Sequence, residues 1–323
     1  MNILICTDHF PHCAEALRAL LPDDLIASCP VEQIQARAAD VDVLVPAMSR
    51  IDEEIIAATS ARLIHQFGVG LEGVDIPAAS QRGIYVANVP NVAGAGNSVS
   101  VAEHAICLML ALARRSPQAE SNFHKGVLGS PMGAALYRKT VAILGVGSIG
   151  AELARRLRGF ELRVLGIKRA PSETLRRELA LDFLGGPNAL DRVLAEADFA
   201  VLALPVTRET RGLIDATALA RMKRGAFLIN VGRGPLVDHD ALLEALTREQ
   251  IAGAGLDVFW DEPADPDDPL FRCNVIATPH TAGVTDLSYA DIAKGLAANV
   301  ERLRAGQAPL HCANLDAVSA RAR

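Results

Sequence analysis

The chain has no Cys-x-x-Cys pair. Its six cysteines, Cys6, Cys13, Cys29, Cys107, Cys273 and Cys312, are scattered, and no histidine cluster stands beside them. That speaks against a metal centre or a disulfide framework. No basic run interleaved with aromatics occurs and the net charge is -6, so no nucleic-acid partner is expected. The longest apolar run, Ala105 to Ala113, is about half of the ~20 residues needed to cross a bilayer, so no membrane span is expected. The start, Met1-Asn2-Ile3-Leu4-Ile5-Cys6, lacks the charged n-region of a secretory signal and reads as a first strand. A cytoplasmic, reducing setting follows. No solenoid period is present.

What is present is enough for two domains: 323 residues, half of them hydrophobic. Two βα series can be read. The first has candidate strands at Asn2–Cys6, Val43–Pro46, Leu63–Phe67 and Tyr85–Ala87, with a helix over Cys13–Leu21. The second has them at Val141–Leu144, Arg163–Ile167, Phe199–Ala203, Ala226–Ile229, Ala254–Asp257 and Val275–Ala277. Alternation of strand and helix predicts parallel sheets with right-handed crossovers. Runs such as Phe199 to Leu204 do not alternate in polarity, which suits strands buried on both faces. Between the series, Ser98 to Arg115 is apolar nearly all round and is predicted to be a deeply buried helix bridging the domains. Ser116 to Lys139 reads as a connecting loop. Ser288 to Ala305 reads as a long helix returning the chain to the first domain.

The most specific motif is Gly145-x-Gly147-x-x-Gly150, between the apolar run Val141–Leu144 and the helix-like Ala151–Leu157. Strand, glycine turn and helix in that order form a dinucleotide fingerprint. The first glycine permits the turn, the second lets backbone approach a pyrophosphate, and the third lets helix pack on strand. The helix N-terminus offers N–H groups and a positive dipole end to phosphate. At the end of the next strand, where an acid would grip the ribose 2′-hydroxyl, stand Lys168 and Arg169. Cations there suit a 2′-phosphate, so NADP is expected over NAD, with NAD use left open.

Three residues could carry chemistry. Arg233 lies between glycines after the strand ending at Ile229, at the sheet edge where open α/β folds bind ligands. An Arg fork holds a carboxylate at two points. Glu262 and His280 each follow a strand of the second series. A carboxylate beside an imidazole orients it and makes it a better acid at neutral pH. The remaining histidines, His9, His12, His65, His104, His124, His239 and His311, have no comparable setting. Together these parts suit hydride transfer between a nicotinamide and a 2-oxo acid, with Arg233 orienting the acid and His280 handling the proton.

With these residues, the chain resembles the D-isomer-specific 2-hydroxyacid dehydrogenase family over nearly its whole length. The matching stretches are Gly68 to Asp75, Arg82-Gly83-Ile84, Ser100 to Glu103, the glycine fingerprint, Leu202 to Pro205 with Thr210, Asn230 to Asp238, Leu256 to Pro263 and Thr278 to Gly283. The resemblance implies two Rossmann-like doubly wound parallel-sheet domains, the cofactor domain inserted into a flavodoxin-like substrate domain. The boundaries would be 1–98 plus 286–323 for substrate binding and 99–285 for NAD(P). It implies Arg233, Glu262 and His280 as the catalytic set. It implies cofactor contacts at Ser148, Ile149, Leu204, Pro205, Thr210, Val231, Gly232, Arg233, Asp257, His280 and on through Ala282 and Gly283, with Ser100 as a further candidate. Backbone at Val69 and Gly70 would receive the substrate carboxylate. It implies a homodimer joined through the cofactor domains. Lys168-Arg169 is similar to the NADP-preferring glyoxylate/hydroxypyruvate reductase branch, so glyoxylate and hydroxypyruvate are the expected substrates. A phosphoglycerate-type dehydrogenase is the alternative, with Arg50 as the candidate phosphate contact. A dinucleotide-sensing corepressor-like binding protein is a third reading, against which the intact Arg233, Glu262 and His280 weigh.

Overall fold

The computed structural model describes residues 1–321. The chain divides into two compact units, Met1–Asn97 with the chain from Asp286 onward, and Ser98–Thr285. Ser98, expected with the first unit, groups with the second.

The first unit holds five parallel strands: β1 (Asn2–Ile5), β2 (Leu25–Ser28), β3 (Val43–Val45), β4 (Leu63–His65) and β5 (Tyr85–Ala87). Their order, β2-β1-β3-β4-β5, is the flavodoxin-like doubly wound order. Apolar runs form these strands because both faces are covered. Ile3, Ile5, Val43 and Val45 pack with Leu17, Leu296 and Val300 on one side. Leu4, Leu44 and Ile64 pack with Ile34, Ile51 and Ile56 on the other. Aspartates start two of the covering helices. Asp52 accepts from the Ile55 N–H ahead of Glu53–Ala58, and Asp75 from the Ala78 N–H ahead of Ile76–Gln81. The long helix Asp286–Arg304 is tied back to this unit by Arg304, whose Nη2 meets both oxygens of Asp24 at 2.6 and 2.7 Å.

The second unit holds seven parallel strands: β6 (Thr140–Leu144), β7 (Arg163–Ile167), β8 (Phe183–Gly185), β9 (Phe199–Leu202), β10 (Phe227–Asn230), β11 (Gly253–Leu256) and β12 (Val275–Ala277). Their order is β12-β11-β10-β9-β6-β7-β8. Strand order reverses between β6 and β9, the switch point at which such sheets bind dinucleotides. Ala142, Leu144, Ala200, Leu202 and Leu228 face one helical layer. Val141, Ile143, Phe199, Val201 and Ile229 face the other, where Leu108, Met109 and Leu112 of the helix Gly96–Ala113 pack.

Three expectations need correction. Strands β2 and β8 have no counterpart in the sequence reading, because Leu25–Ser28 and Phe183–Gly185 are short edge segments that each bury a single residue. The stretch Ser116 to Lys139, expected as loop, contains the helix Ser116–His124, entered through Arg115 in the left-handed region at φ 53°. That helix buries none of its residues, so no apolar stripe marks it in the sequence. The helix Gly96–Ala113 is not buried all round: Glu103 and Cys107 are exposed. It is long and apolar enough to cross a membrane by composition, yet 56% of it is buried within the protein, as expected of a core helix.

Candidate active site

The turn after β6 gives each fingerprint glycine a separate reason. Gly145 has φ +103°, and a Cβ there would stand 2.6 Å from the Ala203 carbonyl oxygen. A Cβ on Gly150 would stand 2.2 Å from the Gly145 carbonyl oxygen, so only glycine lets the helix Ser148–Leu157 approach the turn. A Cβ on Gly147 would meet nothing within 4 Å. That opening is the place a pyrophosphate needs, and a side chain would fill it. No side chain caps this helix. Its first-turn N–H groups and positive end are left for an anion. The residues therefore fit a dinucleotide.

Lys168 follows β7 directly, and its Nζ donates to the Val146 carbonyl in the glycine turn at 2.9 Å. Arg169 is exposed. After β9, Leu204 and Pro205 enter a loop closed by Thr210, whose hydroxyl donates to the Pro205 carbonyl at 2.8 Å and accepts from the Thr207 N–H. Thr210 thus shapes this loop.

The strand ends β10, β11 and β12 bring the three chemical candidates together. Asn230, the last residue of β10, is buried and clamps the loop behind it. Its Nδ2 donates to the Arg233 carbonyl at 2.8 Å and its Oδ1 accepts from the Gly232 N–H at 3.1 Å. Val231 and Gly232 are buried beneath, and Arg233 is half-buried with Nη1 on the Gly232 carbonyl. A Cβ on Gly234 would lie 2.1 Å from the backbone of Phe259, so the Arg233 loop presses directly on the loop after β11. Sequence reasoning missed Asn230. An Asn closing a strand before Gly-x-Gly is a turn signal that could have found it.

The loop after β11 carries Glu262. Its Oε1 accepts from the Phe259 N–H at 3.0 Å, and its Oε2 meets His280 Nδ1 at 2.7 Å. Both side chains are about one-fifth exposed, 21% and 23%, so water screens the pair only partly. Burial alone would raise the Glu262 pKa. Hydrogen bonding and charge from His280, the Phe259 N–H and Arg233 outweigh it, and the carboxyl is held below its ordinary value. Glu262 is therefore an anion at neutral pH. The loop is anchored at two further points. Trp260 Nε1 donates to the Val237 carbonyl at 2.7 Å, and His239 Nε2 bridges to Asp268 at 2.8 Å.

His280 sits in the left-handed backbone region at φ 53°. That conformation costs a non-glycine residue on the order of 1 kcal/mol or more and persists only where surroundings fix it. Asp257 fixes it. Buried to 1%, its carboxylate accepts from the Thr278 hydroxyl at 2.7 Å, the Thr281 N–H at 2.8 Å and the Ala282 N–H at 3.0 Å. Its carbonyl accepts from the His280 N–H at 2.9 Å. Ala282 is buried and Gly283 half-buried. Ser100 is buried, its hydroxyl 2.7 Å from that of Thr285.

In the first unit, Val69 and Gly70 follow β4 in a loop opened by Gly68 at φ +127°. The Gly68 and Val69 carbonyls are taken by the Val89 N–H and Asn88 Nδ2. The N–H groups of Val69 and Gly70 have no acceptor among the described residues. Arg50 follows β3 and is exposed.

Comparison with known proteins gives the family and the fold's relatives. Residues 106–282, more than half of the chain, match the model of the D-isomer specific 2-hydroxyacid dehydrogenase NAD binding domain. The chain is 38% identical over 294 residues to a glyoxylate reductase of Korarchaeum cryptofilum, covering 88% of this chain and 86% of that one. It is 35% identical over 280 residues to a D-3-phosphoglycerate dehydrogenase of Archaeoglobus fulgidus, covering 85% of this chain and 52% of that one. The crystal structure of the TT0316 protein from Thermus thermophilus superposes with a TM-score of 0.83 at 30% identity, covering 97% of this chain and 100% of that one. An open parallel sheet with this glycine turn has the architecture of a dinucleotide-binding domain. Within that class the chain belongs to the D-isomer specific 2-hydroxyacid dehydrogenase family, and it is an NAD(P)-dependent enzyme of hydride transfer.

Gly150 and Gly147 should separate by experiment. Gly150→Ala forces a Cβ into backbone and should destabilise the protein by about 1–3 kcal/mol in urea denaturation. Gly147→Ala meets open space and should stay within ~0.5 kcal/mol of the parent, yet weaken dinucleotide binding in a fluorescence titration. Undiminished binding by Gly147→Ala would rule out the pyrophosphate at this turn.

Proposed function

We propose that this enzyme reduces a small 2-oxo acid, glyoxylate or hydroxypyruvate, to the 2-hydroxy acid with NADPH. The observation that carries the reading is the 2.7 Å pair of His280 Nδ1 and Glu262 Oε2, beside the Arg233 loop at one sheet edge. A bound nicotinamide supplies the hydride to the substrate's carbonyl carbon. Arg233 binds the substrate carboxylate and orients the carbonyl. In the other unit, the backbone N–H groups of Val69 and Gly70 have no acceptor among the described residues and suit an anion. Protonated His280 gives its proton to the carbonyl oxygen as that oxygen gains charge. Anionic Glu262 holds the imidazole through Nδ1 and fixes its orientation. In the oxidative direction neutral His280 takes the hydroxyl proton. By this reading unit Ser98–Thr285 is the cofactor domain and the other unit the substrate domain. Cofactor contacts fall at the glycine turn with Ser148 and Ile149, and at Leu204, Pro205, Val231, Gly232 and the Asp257-bound loop from His280 to Gly283.

The substrate choice rests on relatives. The glyoxylate reductase match runs over 86% of that protein, and the phosphoglycerate dehydrogenase match over 52%. The phosphoglycerate reading has one supporting residue, the exposed Arg50. A panel of 2-oxo acids run with NADH and NADPH decides between them. Glyoxylate or hydroxypyruvate should lead the phosphorylated acid in kcat/KM. His280→Gln should cut turnover by about 10²–10⁴-fold. Arg233→Lys should lose both affinity and turnover, since a point charge cannot replace a fork. Parent-like turnover in His280→Gln would defeat the acid–base assignment.

The NADP preference rests on Lys168 and Arg169 after β7. Lys168 lies against the glycine turn, and Arg169 contributes to holding the Glu209 carboxyl low, behind the Thr207 hydroxyl and the Glu209 backbone N–H. A 2′-phosphate would gain charge-assisted bonds there, worth about 1–3 kcal/mol in total. Lys168→Asp with Arg169→Ala should reverse the ratio of kcat/KM for NADPH over NADH. A parent that prefers NADH would show the reading wrong.

A homodimer through the cofactor domain is the assembly that fits the surface. Phe123, Leu128 and Met132 are exposed by 79%, 94% and 87%, a density of bare apolar side chains uncommon on a monomer. Leu128→Asp with Met132→Asp should convert a dimer to monomer in sedimentation equilibrium. A parent that is already monomeric at micromolar concentration would exclude it. Six unpaired cysteines suit the cytoplasm.

A further inference from the structure

His104 lies in the helix Gly96–Ala113, with Nε2 2.8 Å from the Thr278 hydroxyl oxygen and 3.5 Å from Asp257 Oδ1. Its side chain is 19% exposed. No local pattern in the sequence separates it from the other histidines, but the geometry does. Thr278 has one hydroxyl proton, and its bond to Asp257 Oδ1 uses it, because a carboxylate accepts only. The Thr278 oxygen must then accept from His104, so His104 Nε2 carries a hydrogen. A directed chain results, from His104 to Thr278 to Asp257. Asp257 in turn takes the Thr281 and Ala282 N–H groups through its carboxylate and the His280 N–H through its carbonyl.

We infer that His104 is a positioning residue for His280. It locks the Thr278 hydroxyl toward Asp257 and so ties the loop from Thr278 to Ala282 to the core helix. Without the Nε2–H donor the hydroxyl can rotate, and Asp257 loses its share of a donor that also fixes the start of the loop. His280 would then keep its chemistry and lose its aim. This deepens the proposed function and rests on His280 being the acid–base group.

Kinetics of His104→Leu, Thr278→Val, their double variant and His104→Gln test it, with glyoxylate and NADPH and with His280→Gln as control. Each of the first two should lower kcat by about 10- to 100-fold, the range that a misplacement near 1 Å produces. The dissociation constant of NADPH, read by fluorescence titration, should rise by less than kcat falls, because the glycine turn holds the dinucleotide separately from this loop. The double variant should be no worse than the poorer single, as members of one chain are not additive. His104→Gln, which can present an N–H in a similar place, should recover most of the loss. Parent kcat in His104→Leu, or a loss wholly in NADPH affinity, overturns the inference. If His280→Gln itself retains parent turnover, the acid–base reading fails instead. If His280→Gln is inactive while His104→Leu is not, only the role of His104 falls.

Discussion

The buried carboxylate of Asp257 is the constraint on which the candidate site depends. An anion exposed by only 1% must be supplied with donors, and this one takes a hydroxyl and two backbone N–H groups from the single loop after β12. That demand curls the loop back over the end of β11. It also holds His280 in a backbone conformation that a histidine would leave if unsupported. The imidazole therefore meets Glu262 as a consequence of how Asp257 is satisfied.

The Arg233 side is fixed by exclusion. Gly232 and Gly234 stand where a Cβ would collide with the Leu204 carbonyl oxygen and the Phe259 backbone, so the loop seats against the neighbouring strand ends with no side chain between. Asn230 then closes it by bonding to both Gly232 and Arg233. One loop is held by hydrogen bonds to a buried charge and the other by backbone contact. Both devices are stiff, as a site must be to orient an acid and a proton donor at once.

All these residues gather at one edge because every strand in the second sheet is parallel and every loop after a strand emerges on the same side. The glycine turn emerges there after β6, Lys168 after β7, Arg233 after β10, Glu262 after β11 and His280 after β12. The same rule places Val69, Gly70 and Arg50 at the carboxyl edge of the first sheet.

Much of this is legible in the residues. Apolar runs mark ten of the twelve strands, and the glycine spacing between strand and helix marks the dinucleotide turn. Arg233, Glu262 and His280 stand out as polar groups just past strands. Edge strands β2 and β8 and the surface helix Ser116–His124 do not, because none carries a core pattern. By itself the sequence determined the α/β class, the cofactor type and the candidate reactive residues, since each follows from local spacing and chemistry. The tertiary structure alone decided which groups meet: the 2.7 Å contact of His280 with Glu262, across 18 residues of chain, and the reach of His104 to Thr278, across 174. Such contacts are set by strand order and by how one buried carboxylate is satisfied, and neither leaves a periodic trace in the order of residues.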